Sequence, residues 1–188
     1  MHDADALRAL RDRPYELLRE LDRRARAAAQ GRTEAGAAGA EWVGIAFRLG
    51  GEAFLLAREE TREVMGFPAA VTRVPGAKSW IRGLSNVRGQ LLPVVDVRAF
   101  LGSGASSVTR STRVLVANHR EIPAGLMVDE VMGFRRFAEG EFSADLPPTL
   151  LRCERYLAGA FKRGAEVWPV FSVRGLLESQ AFLQAAAS

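Results

Sequence analysis

The sequence predicts a mainly β protein: two similar small β-barrels packed together, with an N-terminal α-helical arm. Three observations carry that reading. The chain contains one stretch twice: residues 80–102, WIRGLSNVRGQLLPVVDVRAFLG, share their outline with residues 156–177, YLAGAFKRGAEVWPVFSVRGLL. Trp80/Tyr156, Gly83/Gly159, Pro93/Pro169, Val97/Val173, Arg98/Arg174 and Leu101/Leu177 all fall 76 residues apart, whereas Gly89 and Gly164 fall 75 apart. Upstream of each copy, E-V-M-G-F at 63–67 recurs letter for letter at 130–134. Two echoes in the same order mark an internal duplication. From Trp42 onward, apolar residues alternate in short runs broken by glycine turns, which is the pattern of short strands. Ahead of that lies a block of helical period.

In that block, residues 1–30, Leu7, Leu10, Leu17, Leu21, Ala25 and Ala28 recur at steps of three, four or seven and share one face. Pro14 suits a first helical turn, with Asp12 as cap and Gly31 as stop. Residues 31–40, GRTEAGAAGA, are small and polar enough to be a linker. The domains are therefore an arm and linker over 1–40 and a globular part over 41–183. In the globular part, a first barrel spans about 41–102 and a second about 110–178, with exchange of strands between them left open.

In the first unit, residues 43–49 alternate, Gly50-Gly51 turns the chain, and residues 52–57 return. Residues 58–62 form one helical turn, and 64–67 and 71–74 are short extended pieces. Pro75-Gly76-Ala77 opens a short helix that carries Trp80 and Ile81 inward and stops at Gly83. Strands 84–88 and 90–97 follow with Gly89 between them, then a helical turn at 98–101 and a loop at 102–109. The second unit repeats the plan. Strands 113–117 and 123–128 form a hairpin, 129–134 is a strand and 142–148 is irregular. Residues 150–157 form a short helix, 167–173 the last strand and 176–182 a closing helix. Pro93 and Pro169 restrict their strands to edge-like or bulged positions.

Composition narrows the function classes. The 188 residues are 48% hydrophobic, enough for one sizeable core or two small ones. The formal charge of +4 comes from 26 basic and 22 acidic residues with the signs interspersed. No basic run or arginine–aromatic stripe supports nucleic-acid binding. Cys153 is the only cysteine, which excludes a disulfide within the chain; His2 and His119 are the only histidines, which argues against a zinc-type site. Residues 1–5 are charged, without an apolar signal core, and no apolar run approaches the roughly 20 residues of a membrane span. A cytoplasmic protein with no direct membrane insertion is expected.

Chemistry is sparse. The phosphate-loop, nucleophile-elbow and zinc-protease motifs are absent from the sequence. Ser103, Ser106 and Ser107 lie in a loop, and His119 falls at a predicted exposed hairpin turn. Cys153 sits beside Leu150 and Leu151 as a small core residue. The matching positions of Glu63 and Glu130 follow from the duplication. No catalytic residue, cofactor or metal is expected, and the chain reads as not an enzyme. A different combination stands out. Asn86-Val87-Arg88-Gly89 places an arginine at a strand end beside an unshielding glycine turn, with Glu63 on a strand of the same half. A Glu63–Arg88 pair would fix local shape and leave the remaining guanidinium donors for a partner. The alternative, a solvated strand-end arginine, stands level with it on these residues alone.

These residues carry a resemblance. F-R-L-G-x-E-x-F from Phe47, E-V at 63–64, T-R-V-P-G at 72–76, W-I-R-G at 80–83, N-V-R-G-Q-L-L-P-V-V-D-V-R at 86–98 and G-L-M-V-D-E-V-M-G at 125–133 resemble the CheW-like domain family, in order, over about 42–178. The amphipathic arm, the W-x-G-I-x-F-R opening at 42–48 and S-x-x-L-P-P at 143–148 are most similar to members serving twitching motility and type IV pili. The resemblance implies two intertwined five-stranded barrels of SH3-like topology. It implies a non-catalytic adaptor protein of chemotaxis-type, two-component signal transduction. Such an adaptor couples the cytoplasmic tip of a methyl-accepting chemoreceptor to the regulatory domain of a CheA-type histidine kinase. Carried over by motif, Arg88 and Glu63 are receptor-binding residues, with Val64, Val87 and Val128 beside them, while Gly89, Gln90 and Leu91 fall on the kinase-binding face. The other readings are a flagellar chemotaxis adaptor, a basic β-barrel gripping nucleic acid, and a small enzyme using Glu63 or Glu130. Residues 1–40 are not accounted for by the resemblance. Function is expected where the copies differ, at 86–88 against Lys162-Arg163 and at Asp96 against Ser172.

Overall fold

A computed structural model describes residues 41–185; the helix expected over 1–30 and the linker over 31–40 lie outside the described residues. The chain forms β1 (Glu41–Leu49), β2 (Glu52–Ala57), β3 (Thr61–Gly66), β4 (Ile81–Val87), β5 (Gln90–Asp96), α1 (Val97–Phe100), β6 (Arg113–Ala117) and β7 (Gly125–Val128). It continues through β8 (Glu130–Ala138), β9 (Phe142–Ser143), β10 (Leu157–Arg163), β11 (Glu166–Phe171), α2 (Val173–Leu177) and α3 (Gln180–Leu183).

The strands make two sheets, ordered β8-β1-β2-β11-β10-β9 and β3-β6-β7-β5-β4. The orders coincide once the duplication is imposed, with β1 and β2 standing for β6 and β7, β3 for β8, β4 for β10 and β5 for β11. Even the parallel contacts match, β11 on β2 and β5 on β7. Each sheet therefore takes its first hairpin from one copy and its remaining strands from the other. The two-residue β9 is the counterpart of the isolated bridge between Thr72 and Leu84, 76 residues before Ala160, which pairs with Ser143.

The main core lies between the sheets. It joins Ile45, Phe47, Phe54 and Leu56 of the first sheet to Val95, Leu115, Leu126 and Val128 of the second, and Trp80, Tyr156, Leu176 and Phe182 extend it. Because side chains alternate along a strand, Ala46 and Leu55 point the other way, into a smaller cluster with Phe137, Phe161 and Val170. Phe137 and Phe161 stack there at 4.7 Å. β1 and β2 thus bury both faces, which explains their nearly continuous apolar runs.

Three local expectations change. Residues 75–76 and 79–80 form turns with Ala77 in an isolated bridge between them, and β4 already begins at Ile81. The preceding segment is held alongside β4 by reciprocal Thr72–Leu84 backbone bonds of 2.8 Å. The close approach requires Gly83, at φ +142°, where a Cβ would meet the Thr72 carbonyl oxygen at 2.3 Å; Gly159, at φ +145°, does the same against Ser143. The helix expected over 150–157 reduces to a single 3-10 turn at Glu154–Tyr156. The repeat register also tightens. Arg88 and Gly89 form the β4–β5 turn and Gly164 and Ala165 the β10–β11 turn, so Gly164 answers Arg88, at the common offset of 76.

Candidate functional site

Arg88 belongs to the turn, rather than to the end of a strand. Its φ is 51° and that of Gly89 is 82°, the two positive values that a type I′ hairpin turn needs. For a residue with a Cβ this conformation costs about 1–2 kcal/mol. The second copy has Gly164 at φ 60° in the corresponding place, but Ala165 after it is not at positive φ, so its two-residue turn is of another type. Asn86 secures the turn, its Oδ1 accepting from the Gly89 backbone N–H at 2.9 Å.

The side chain of Arg88 is 79% exposed, and its Nη2 donates to Glu63 Oε1 at 2.7 Å. Glu63 lies on β3 and Arg88 follows β4, the two edges of the five-stranded sheet, so the pair links strands that share no ladder. A second link runs beside it. Arg62 is the extra residue where β3 shifts register against β6, and such a bulge re-aims its side chain. Its Nη2 donates to Gln90 Oε1 at 3.3 Å. Arg88 makes no other side-chain hydrogen bond among the described residues, so its remaining donors face solvent.

The second hairpin tip is arranged differently. Arg163 grips Glu141 with two bonds of 2.7 Å, donates to the Arg136 carbonyl at 2.9 Å and lies over Phe137. The hydrogen bond from Arg163, then that from the Ala138 N–H, holds the Glu141 carboxyl down at about 2. That arginine is consumed within its own barrel, whereas Arg88 is presented outward.

Gly89, Gln90 and Leu91 are exposed at the same tip, Leu91 by 66%. Gln90 and Leu91 line a cleft of about 310 Å³ with Arg62, Pro123 and Arg120. It shares His119 and Arg120 with an open cleft of about 760 Å³, whose walls include Glu59, Glu121, Val173, Arg174 and Leu177. A grooved surface of mixed charged and apolar side chains thus runs from Gln90 and Leu91 to the junction of the two copies. Val64 is 38% exposed and Val87 half-buried. Val128 is the exception: it is 2% exposed and packs in the main core, because its strand is buried along its whole length. It therefore offers no surface for a partner.

His119 is not the exposed turn residue the sequence suggested. Its side chain is 14% exposed, with Nε2 3.3 Å from Glu178 Oε1, and Nδ1 accepts the Ile122 N–H at 3.1 Å and the Glu121 N–H at 3.3 Å. It shapes the β6–β7 loop. Asp96 is likewise structural. Fully buried, it caps α1 through Ala99 N–H at 3.1 Å and fastens the following loop through Ser106 N–H at 2.7 Å and Ser106 Oγ at 2.9 Å. Cys153 is buried, and burial raises its thiol pKa, as expected for a core residue. Arg62 and Arg120, which the sequence did not single out, join the site through a bulge and a loop. Only the adjacency of Arg62 to Glu63 could have pointed to either.

Among the described residues, no group of three or more His, Cys, Asp or Glu side chains is placed to hold a metal ion. What the arrangement can do is hold a segment of another protein in a groove and fix its register with a few charges.

Comparison with known proteins agrees. The chain is 40% identical to the protein PilI of Pseudomonas aeruginosa over 173 residues, 92% of this chain and 96% of that one. It is 24% identical to the chemotaxis protein CheW of Klebsiella aerogenes over 136 residues, 72% and 81% of the two chains. A match to CheW of Rhizobium meliloti, at 38% identity, covers 46% of this chain and 56% of that protein. The crystal structure of the scaffolding protein TtCheW from Thermoanaerobacter tengcongensis superposes with a TM-score of 0.66 over 76% of this chain and 96% of that one. Its sequence identity is 22%, so the likeness is one of fold. The family model of the CheW-like domain matches residues 43–181, and the chain belongs to the CheW-like domain family.

Proposed function

We propose that this chain is a non-catalytic adaptor that couples a methyl-accepting chemoreceptor to a CheA-type histidine kinase in the cytoplasm, in the system that controls type IV pilus twitching motility. The observation that carries the reading is Arg88. It is held in an unfavourable backbone conformation, paired with Glu63 on one side and open to solvent on the other. Gln90, close to it in sequence, and Arg62, next to Glu63, both line the smaller cleft. In this reading Arg88, Glu63, Val64 and Val87 meet the receptor's helical tip, and Gly89, Gln90 and Leu91 meet the kinase's regulatory domain. The pilus system is favoured over a flagellar one because the likeness to PilI spans nearly both chains. Among the described residues no helix is long and apolar enough to cross a membrane. Membrane association then comes through the receptor, and clustered receptors allow each contact to be modest.

The test is titration calorimetry with the receptor's cytoplasmic fragment and with the kinase's regulatory domain, each from the same organism. A hydrogen bond to a charged group contributes about 1.5–3 kcal/mol. Arg88→Ala is therefore expected to weaken association roughly 10- to 100-fold while the melting temperature stays within a few degrees. Undiminished binding by both Arg88→Ala and Glu63→Ala would remove this pair from the interface.

A further inference from the structure

The first copy carries a second cleft, on the segment between β3 and β4, that the adaptor reading does not use. It encloses about 470 Å³ and is lined by Phe67, Val71, Val74, Ala77 and Ile81 together with Arg73, Lys78, Ser79 and Arg82. Three cations and no carboxylate line it. Arg82 has a carboxylate 4.0 Å away, that of buried Asp96 behind the wall, and among the described residues Arg73 and Lys78 have none. The cleft shares no lining residue with the groove at the hairpin tip.

Its walls are preformed. The Thr72–Leu84 backbone pair at 2.8 Å, the Ser85 hydroxyl on the Ala70 carbonyl at 2.9 Å and the Lys78 N–H on the Ala185 carbonyl at 2.9 Å hold the segment against β4 and the C-terminal end. The basic character is also not a by-product of the duplicated fold. Lys78 and Glu154 occupy equivalent places, each carbonyl accepting from the residue three ahead, Ile81 at 2.9 Å in one copy and Leu157 in the other. The counterpart of Arg82, 76 residues on, is Ala158. One copy has two cations where the other has an acid and a methyl group.

We infer that this cleft is a docking site for an acidic segment of a partner protein, one carrying both carboxylate and aliphatic side chains. Charge complementarity selects the carboxylates. The apolar floor selects aliphatic neighbours, since a bare inorganic anion would leave Phe67, Val71, Val74 and Ile81 uncovered. The ions fix orientation and the apolar contacts supply burial.

The experiment uses the full chain, isotope-labelled, titrated with a synthetic 12-residue peptide alternating Glu and Leu. Controls are the same peptide with Gln for Glu, and inorganic phosphate. Shifts confined to residues 67–82, with binding weakened at least tenfold by the Gln peptide and by Arg73→Glu/Lys78→Glu, are the expected result. Arg88→Ala should bind the peptide unchanged, which separates this site from the proposed receptor contact. Should the double variant fail to fold, the single exchange Arg73→Gln is expected to weaken binding several-fold, since Arg73 is exposed and makes no structural bond among the described residues. Equal binding of the Glu and Gln peptides, shifts centred elsewhere, or phosphate producing the same shifts with the same affinity would overturn the proposal.

Discussion

Arg88 occupies a position for which glycine is the ordinary choice, and the duplication supplies the control in the same molecule. Gly164 holds the corresponding positive-φ place in the second hairpin turn, and no heavy atom lies within 4 Å of where its Cβ would stand. Arg88→Gly would relieve about 1–2 kcal/mol of backbone strain. Against that stand about 0.5–1 kcal/mol of added chain entropy and at most about 1 kcal/mol from the exposed pair with Glu63. The contributions nearly cancel, leaving a net change between about 1 kcal/mol of destabilisation and about 1.5 kcal/mol of stabilisation. The variant should thus melt within a few degrees of the parent while losing partner binding as fully as Arg88→Ala does. A melting point several degrees lower would show that the arginine serves the fold.

At the scale of elements, the strands and hairpins were legible because alternation and glycine turns are local signals. β1, β2, β6, β7 and the β4–β5 pair fall where those signals place them, and α1 lies within a residue of the helical turn expected at 98–101. The closing helix expected over 176–182 is instead two short helices, α2 starting already at Val173 and α3 at Gln180. The misplaced helices at 75–83 and 150–157 have one cause. Both segments are held by contacts distant in sequence, the Lys78 N–H on the Ala185 carbonyl in one and the Leu150 and Leu151 N–H groups on the Glu52 carboxylate in the other, which no periodicity records. For the site, Arg88 and Glu63 were legible as a motif, but their separation across two sheet edges was not; Val128 looked available because burial along β7 is a tertiary fact. The caps of α1 and α2 show how equivalent elements diverge. Asp96 accepts three hydrogen bonds and holds a loop, whereas Ser172 accepts from Gly175 N–H at 3.0 Å while Glu60 takes the N–H groups of Val173 and Arg174. Asp96→Ala strands buried donors as well as removing a cap, so it should cost about 3 kcal/mol or more. Ser172→Ala, with Glu60 still in place, should cost about 1 kcal/mol. Urea unfolding of the two variants measures both, and equal losses would mean that the Ser106 bonds contribute nothing.

At the scale of the whole molecule, the duplication and the sheets do not share a boundary. The first sheet needs β1 and β2 from one copy and β8, β10 and β11 from the other; the second needs β3, β4 and β5 with β6 and β7. Cutting between the copies, near residue 109, leaves β1 and β2 as a hairpin with neither neighbour, and an isolated two-stranded hairpin is marginal in water. The main core divides as well, because Phe47 and Phe54 pack against Phe171. Residues 41–109 alone and 110–185 alone are therefore each expected to lack a cooperative melting transition. An equimolar mixture should regain dispersed amide resonances and melt once, as the intact domain does. A half that melts cooperatively by itself would mean that one copy can fold back on its own hairpin. The same exchange bears on the site. Groove walls at Glu59, His119 and Val173 come from both copies, so the groove exists only when the two are interlocked, whereas Arg88 and Glu63 both belong to the first copy. Mixing the halves should restore groove and binding together, since the pair without its groove has nothing to orient.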